Sequence, residues 1–376
     1  MTSTLFISGL FRSGTTFLAR ALNSHAEMCV LSDPHRVFFK YVRNKFYTSR
    51  LGEYNSNQPL DDYFLKDVAL RNDFHHSWTS IPFTSDEVEA LKPILIKGAA
   101  AFSPRIGHNL DKLQAGSAIE VYNQLIQLAA EAYQAKASDL IGTKEVWTDE
   151  FLPTLVAQNR KCLQVVRDPR AVIASNRKSA TGAYPILFLI RQWRKSVASY
   201  HLMEDHPSHL LMKYEDLVSN PRQSFERITN FLGLPFDSNL LSPSTYKDGS
   251  GASWQQNSSY GTSKQINSQY LDKWKTILSQ DELRMIEWFC LPEMRTMRYN
   301  PSIELHSFPR KEDLYIEHYP TEAEWIKEFD FRLNPVVLEE EYKRYQLLKE
   351  NSNLDEADIN LYFLNVRAYN ALKNVI

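Results

Sequence analysis

The residues with the clearest capacity for chemistry lie near the start of the chain, where S-G-L-F-R-S-G-T-T occupies positions 8 to 16. Gly9 and Gly14 keep the spacing of the phosphate-cradling motif G-x-x-x-x-G-K-[ST], but Thr15 stands where that motif has lysine. A glycine turn between a strand and a helix aims successive backbone N–H groups, and the positive end of the helix dipole, at one point. Ser13, Thr15 and Thr16 add neutral donors. The cation has moved to Arg12, whose fixed fork of donors suits a planar or tetrahedral oxyanion.

A second candidate is V-V-R-D-P-R-A-V-I-A-S, in which Arg167 closes an apolar run and Ser175 follows eight residues later, two helical turns on. Both can face one edge of a sheet. Two anion-competent turns of this kind imply a ligand with two phosphate groups held at separate points.

These residues need elements to position them. Leu5, Phe6 and Ile7 form a β-prone run ending at Ser8-Gly9, and Phe17, Leu18, Ala21 and Leu22 then recur at helical spacing. Around Arg167, a strand ends at Val166, Asp168 is placed to cap, and Pro169 suits the first helical position. H-L-L-M-K-Y-E-D-L predicts a third strand ending near Lys213, followed by a helix stopped by Gly233 and Pro235. Apolar strands alternating with helices predict a parallel sheet covered by helices.

Residues 45–115 are polar and aromatic, interrupted by Pro59, Pro82, Pro93 and Pro104, and read as an insertion on the substrate side. A-I-E-V-Y-N-Q-L-I-Q-L-A-A-E-A-Y-Q-A-K-A predicts an amphipathic helix. Beyond about residue 300 the chain turns strongly charged and helical, which sets a domain at 1–300 and a helical extension at 301–376.

With 43% apolar residues in 376, the chain can bury a sizeable core. Its 43 basic residues against 45 acidic ones leave a net charge of −2, so no global field draws it to nucleic acid or an anionic membrane. Cys29, Cys162 and Cys290 lack metal or disulfide spacing, and no apolar run reaches membrane-spanning length. No basic leader precedes the first strand, and a cytoplasmic location is expected.

Together, F-I-S-G-L-F-R-S-G-T-T-F-L-A-R-A-L-N-S-H, V-V-R-D-P-R-A-V-I-A-S and K-Y-E-D-L-V-S-N-P-R-Q-S-F-E-R-I-T-N-F-L-G-L-P-F resemble the sulfotransferases that use 3′-phosphoadenosine 5′-phosphosulfate (PAPS), over roughly residues 4–300. The R-S-G-T-T variety includes tyrosylprotein, carbohydrate and many bacterial enzymes. The resemblance implies an α/β fold, a P-loop-like parallel sheet flanked by helices, followed here by the helical extension. Position by position, it implies that Arg12, Ser13, Gly14, Thr15 and Thr16 bind the 5′-phosphosulfate. Arg167 and Ser175 match the pair that holds the 3′-phosphate, and Tyr214 occupies a position near the adenine. S-S-Y-G-T-S-K-Q-I-N-S-Q-Y-L-D-K-W resembles a segment whose serine and lysine contact the cofactor, here Ser259, with Ser258 as its substitute, and Lys273.

For chemistry, the resemblance implies in-line transfer of a sulfuryl group to a hydroxyl acceptor without a metal, since that group carries less charge than a phosphoryl. Asp33, twenty-one residues beyond Arg12, lands where tyrosylprotein sulfotransferases place a catalytic glutamate, and is the candidate base. His35, His75, His76 and His108 are its substitutes. Lys144 matches a family lysine near the transferred group; as a strand-end residue, it reads equally well as solvated. His25, Trp193 and Tyr200 read as structural. Tyr54, Tyr63, Phe64, Phe74 and Trp78 either stack on a sugar or phenol acceptor or pack the insertion. The expected partner is a small-molecule, saccharide or lipid-linked hydroxyl. Competing readings are a degenerate P-loop kinase using Mg·ATP and a non-catalytic nucleotide-binding scaffold.

Overall fold

The computed structural model describes residues 4–53, 67–177, 184–254, 265–302, 335–350 and 354–375. By contact the chain forms two compact units, one of Met1–Leu60, Ala69–Val165 and Asp205–Ser268, the other of Asp61–Val68, Val166–Glu204 and Gln269–Ile376.

The first unit is built on five strands, β1 (Thr4–Gly9), β2 (Met28–Ser32), β5 (Leu140–Lys144), β6 (Lys161–Val166) and β7 (His209–Lys213), in the order β2-β5-β1-β6-β7. β1 pairs in parallel with β5 and β6, and β2 with β5, as the alternation of apolar strands and helices predicts. A parallel sheet delivers the ends of its strands to one edge, and the register places Ile7 and Ser32 opposite Lys144 and Gly9 opposite Val165. Helix α1 (Thr15–Leu22) buries Leu18 and Leu22 on Leu5, Ile7, Val30 and Val165. Each such side chain withdrawn from water contributes about 1.5–3 kcal/mol.

Among its described residues the insertion is largely helical. Helix α2 (Arg36–Leu51) runs into it, α3 (Val68–Ser77) follows, and two-residue strands β3 (Pro82–Phe83) and β4 (Gly116–Ser117) pair antiparallel. Pro93 does not interrupt the chain but lies inside α4 (Ser85–Ala99), which a Thr84–Glu87 capping box starts. Helix α5 (Ala118–Ala132) places Tyr122 among Phe6, Phe38 and Phe39, so an aromatic layer joins α2 and α5 to the sheet. Helix α9 (Tyr214–Ser219) leaves β7, and α10 (Pro221–Leu232) ends at Gly233, whose φ of 74° is the left-handed turn the sequence calls for.

The second unit contains α7 (Pro169–Arg177), α8 (Ile186–Met203), α11 (Trp274–Ile277), α12 (Gln280–Thr296) and the helices Pro335–Lys349, Glu356–Phe363 and Val366–Lys373. Residues after 334 therefore group with α7, α8 and α12. Buried Arg194 on α8 makes a bidentate pair with Glu341, at 2.6 and 2.7 Å, and Arg344 pairs with Glu293 on α12. The final helical stretch is split at Leu364 (φ 69°), because Asn365 caps a new helix by accepting from the Ala368 N–H. Among the described residues no helix is long and apolar enough to cross a membrane.

Candidate active site

The first glycine turn is closed by the Ser13 N–H, which donates to the Leu10 carbonyl at 3.0 Å. Gly14 (φ 87°) is the N-cap of α1 and supplies no side-chain acceptor, and no acid occupies the first helical turn. The amides of that turn therefore keep the positive helix end open to an anion. Ser13 is fully buried, yet its hydroxyl makes no hydrogen bond among the described residues. A buried polar group left in that state costs about 1–3 kcal/mol, a cost that a ligand oxygen relieves.

The turn is tight on its far side. A Cβ on Gly14 would come within 2.2 Å of the Tyr214 ring, and one on Gly9 within 2.4 Å of the Val165 carbonyl. The structure thus brings Tyr214 onto the turn that the sequence assigns to the phosphosulfate. Arg12, also left-handed at φ 68°, is half-buried with its guanidinium 5.1 Å from the Phe11 ring, and Phe11 stacks on Trp147 at 5.7 Å. Thr15 is buried and Thr16 half-buried.

At the ends of β2 and β5, Asp33 and Lys144 meet. The Asp33 N–H donates to the Lys144 carbonyl at 2.6 Å, continuing the ladder by one residue. At a φ of 50°, Asp33 then turns its carboxylate back, where Oδ1 accepts the Val146 N–H at 3.1 Å and Oδ2 accepts the Lys144 ammonium. Lys144 is fully buried rather than solvated, its Nζ 5.7 Å from the Phe102 ring. A carboxylate has about four acceptor positions, so room remains for a further donor.

Five residues around this pair carry no signal in the sequence: Glu145, Ser8, Asp149, Thr148 and Arg20. Glu145 is fully buried and accepts the His35 N–H at 3.0 Å; burial, then the charge of Asp33, raises its carboxyl well above the usual range. Ser8 donates to Asp149 at 2.7 Å, and Thr148 donates to the Glu145 carbonyl at 2.8 Å, tying β1 to the loop after β5. Arg20 is buried on α1 and donates to the Phe102 carbonyl at 3.1 Å. Glu145 and Trp147 stand in K-E-V-W directly after Lys144, but only the left-handed turn at Trp147 (φ 65°) shows why.

In the second unit, Arg167 directly follows β6, and its carbonyl accepts from buried Trp193 at 2.8 Å. Asp168 caps α7 as expected, accepting the Arg170 N–H at 2.9 Å. Ser175 is buried within α7, and Lys273 is exposed at the N-cap of α11. Ser258 and Ser259 lie outside the described residues, as do Tyr54, Tyr63 and Phe64.

Of the histidines weighed as bases, His35 is buried and its pKa is lowered to about 3 by that burial. His75 bonds the Glu150 carbonyl at 3.0 Å and His76 the Asn72 carbonyl at 2.7 Å, while His108 is exposed. His25 stays structural, bonding the Pro235 carbonyl at 2.9 Å and accepting the Glu27 N–H. Tyr200 is half-buried against His201. Phe74 and Trp78 are core residues packed on Phe151, which takes them out of any acceptor surface.

The chain is 25% identical to carbohydrate sulfotransferase 1 of Rattus norvegicus over 355 residues, covering 78% of this chain and 81% of the relative. It is 23% identical to the Homo sapiens protein of the same name, covering 80% and 82%. Among solved structures, the sulfotransferase domain from the curacin biosynthetic pathway aligns with a TM-score of 0.46 at 20% identity, covering 80% of this chain and 99% of that one. Residues 2–298 match the family model described as the sulfotransferase domain, and the chain belongs to the sulfotransferase family.

Proposed function

We propose that the protein moves the sulfuryl group of PAPS to a hydroxyl acceptor and releases adenosine 3′,5′-bisphosphate. The observation that carries this reading is the open N-terminus of α1 with the buried Ser13 hydroxyl at its base, which has no hydrogen-bond partner among the described residues, a cradle for an anion with little room behind it. Arg12, Thr15 and Thr16 join that cradle around the 5′-phosphosulfate. Arg167, Ser175 and Lys273 take the 3′-phosphate end, and Tyr214 lies by the adenine.

In the transfer, the acceptor oxygen forms a bond to sulfur as the bond from sulfur to the bridging phosphate oxygen breaks. Asp33 accepts the proton of the acceptor hydroxyl, and the leaving oxygen stays on the 5′-phosphate. Lys144, already bonded to Asp33, supplies positive charge as negative charge builds, and Arg12 does the same at the turn. Neither residue needs a divalent metal for this. The names of the relatives make a saccharide hydroxyl the first acceptor to test.

The experiment is incubation of the protein with PAPS and a panel of unsulfated saccharides, read by mass spectrometry. A sulfate-sized mass gain with matching release of the bisphosphate supports the reading. Phosphate gain from Mg·ATP, with none of sulfate from PAPS, would favour the degenerate kinase and overturn it.

A further inference from the structure

Arg170 is a heavily engaged side chain in the turn after β6. It is buried, and its Nε donates to both oxygens of Asp168 at 2.9 and 3.2 Å while Nη2 donates to Oδ2 at 2.6 Å. Nη1 reaches Glu287 Oε1 on α12 at 2.6 Å and the Asn300 carbonyl at 3.0 Å. The guanidinium lies 4.1 Å from the centre of the Trp274 ring. Glu287 is itself fully buried and anchored by the Ser302 N–H and hydroxyl, each at 2.7 Å.

The partners' positions in the chain give this hub its meaning. Asp168 follows Arg167, and Trp274 follows Lys273. One planar cation therefore grips the neighbours of two residues that the proposed function places on the 3′-phosphate, though they lie far apart in sequence. Trp193 holds the Arg167 carbonyl from α8, which fixes the arginine's backbone on the side of Asp168. We infer that Arg170 is a positioning residue, which sets Arg167 and Lys273 as one rigid grip for the 3′-phosphate; this rests on the assignment of those two residues to the nucleotide.

Lysine at position 170 keeps the charge but lacks the fork and the flat face that bind Asp168, Glu287 and Trp274 together. The test is binding of two nucleotides, adenosine 3′,5′-bisphosphate and adenosine 5′-phosphate, to the wild type, Arg170→Lys and Trp274→Leu, with the melting temperature measured on each. Arg170→Lys should weaken the bisphosphate by about tenfold or more, the worth of one misplaced charge-assisted hydrogen bond, and leave the 5′-phosphate within about twofold. Trp274→Leu, which spares the ion pairs, should weaken the bisphosphate by about threefold with the same selectivity. Equal weakening of both nucleotides, or retention of the wild-type preference in both variants, would overturn the positioning role alone. A wild type that does not prefer the bisphosphate would overturn the underlying assignment and this inference with it.

Discussion

The ammonium of Lys144 hydrogen-bonds Oδ2 of Asp33, with both side chains buried, because the register of β2 on β5 sets Ser32 opposite Lys144. The pair links the candidate base to a cation at the strand ends, and each half responds to substitution in its own way.

Asp33→Asn keeps the shape and removes the proton acceptor. Turnover should fall by about 10²–10⁴, the usual contribution of a positioned base, while affinity for adenosine 3′,5′-bisphosphate changes little. Steady-state rates and nucleotide titration on the same preparation check this. A fully active variant would move the base elsewhere.

Lys144→Met leaves the Asp33 carboxylate buried with, among the described residues, the Val146 N–H as its donor. Breaking a buried pair in this way costs about 3–5 kcal/mol, so the melting temperature should drop markedly. The double variant with Asp33→Asn should regain part of the loss, and strictly additive effects would show that the two side chains are not coupled.

Gly14→Ala should be destabilising by about 1–3 kcal/mol, since φ is 87° and the new methyl would meet the Tyr214 ring 2.2 Å away. Adding Tyr214→Ala removes the clash but not the backbone strain. Denaturant midpoints for the single and double variants should therefore show partial rescue, with an unaffected Gly14→Ala protein contradicting the packing described for the turn.

Acid stability should depend on Glu341. Burial alone would raise its carboxyl, but Arg194, followed by Arg191 and Arg344, holds it at about 2 against an ordinary 4.5. A group depressed on folding contributes stability that is complete above its unfolded pKa and is lost as pH falls toward the folded value. The wild type should therefore lose stability between about pH 4.5 and 2. Glu341→Gln, less stable overall, should show a shallower slope in that window when melting temperature is followed against pH.

The sequence carried the sheet and two of its strand–turn–helix units, because these are local patterns that Leu5–Ile7, Gly9–Gly14 and Val166–Pro169 spell out in a few residues each. It also led to Asp33 and Lys144 separately, through resemblance. What it lacked was their contact, which depends on the pairing of strands more than 100 positions apart, at a separation of 111. For the same reason nothing local in the sequence singles out Glu145 or Arg170, whose partners His35 and Glu287 lie 110 and 117 positions away. Pro93 misled in the opposite direction, since one lost backbone bond is tolerated where α4 packs Val88, Leu91 and Leu95 into the core. The division at 300 follows a change in charge, whereas Arg194 and Glu341 show that the charged helices bury part of that charge against α8.

Calorimetric titration with adenosine 3′,5′-bisphosphate in the presence of a metal chelator tests the central claim most directly. Saturable binding by the wild type, lost in Arg167→Ala and not reproduced by Mg·ATP under metal-replete conditions, is the predicted result. Binding of Mg·ATP alone, with no response to the bisphosphate, would contradict the account.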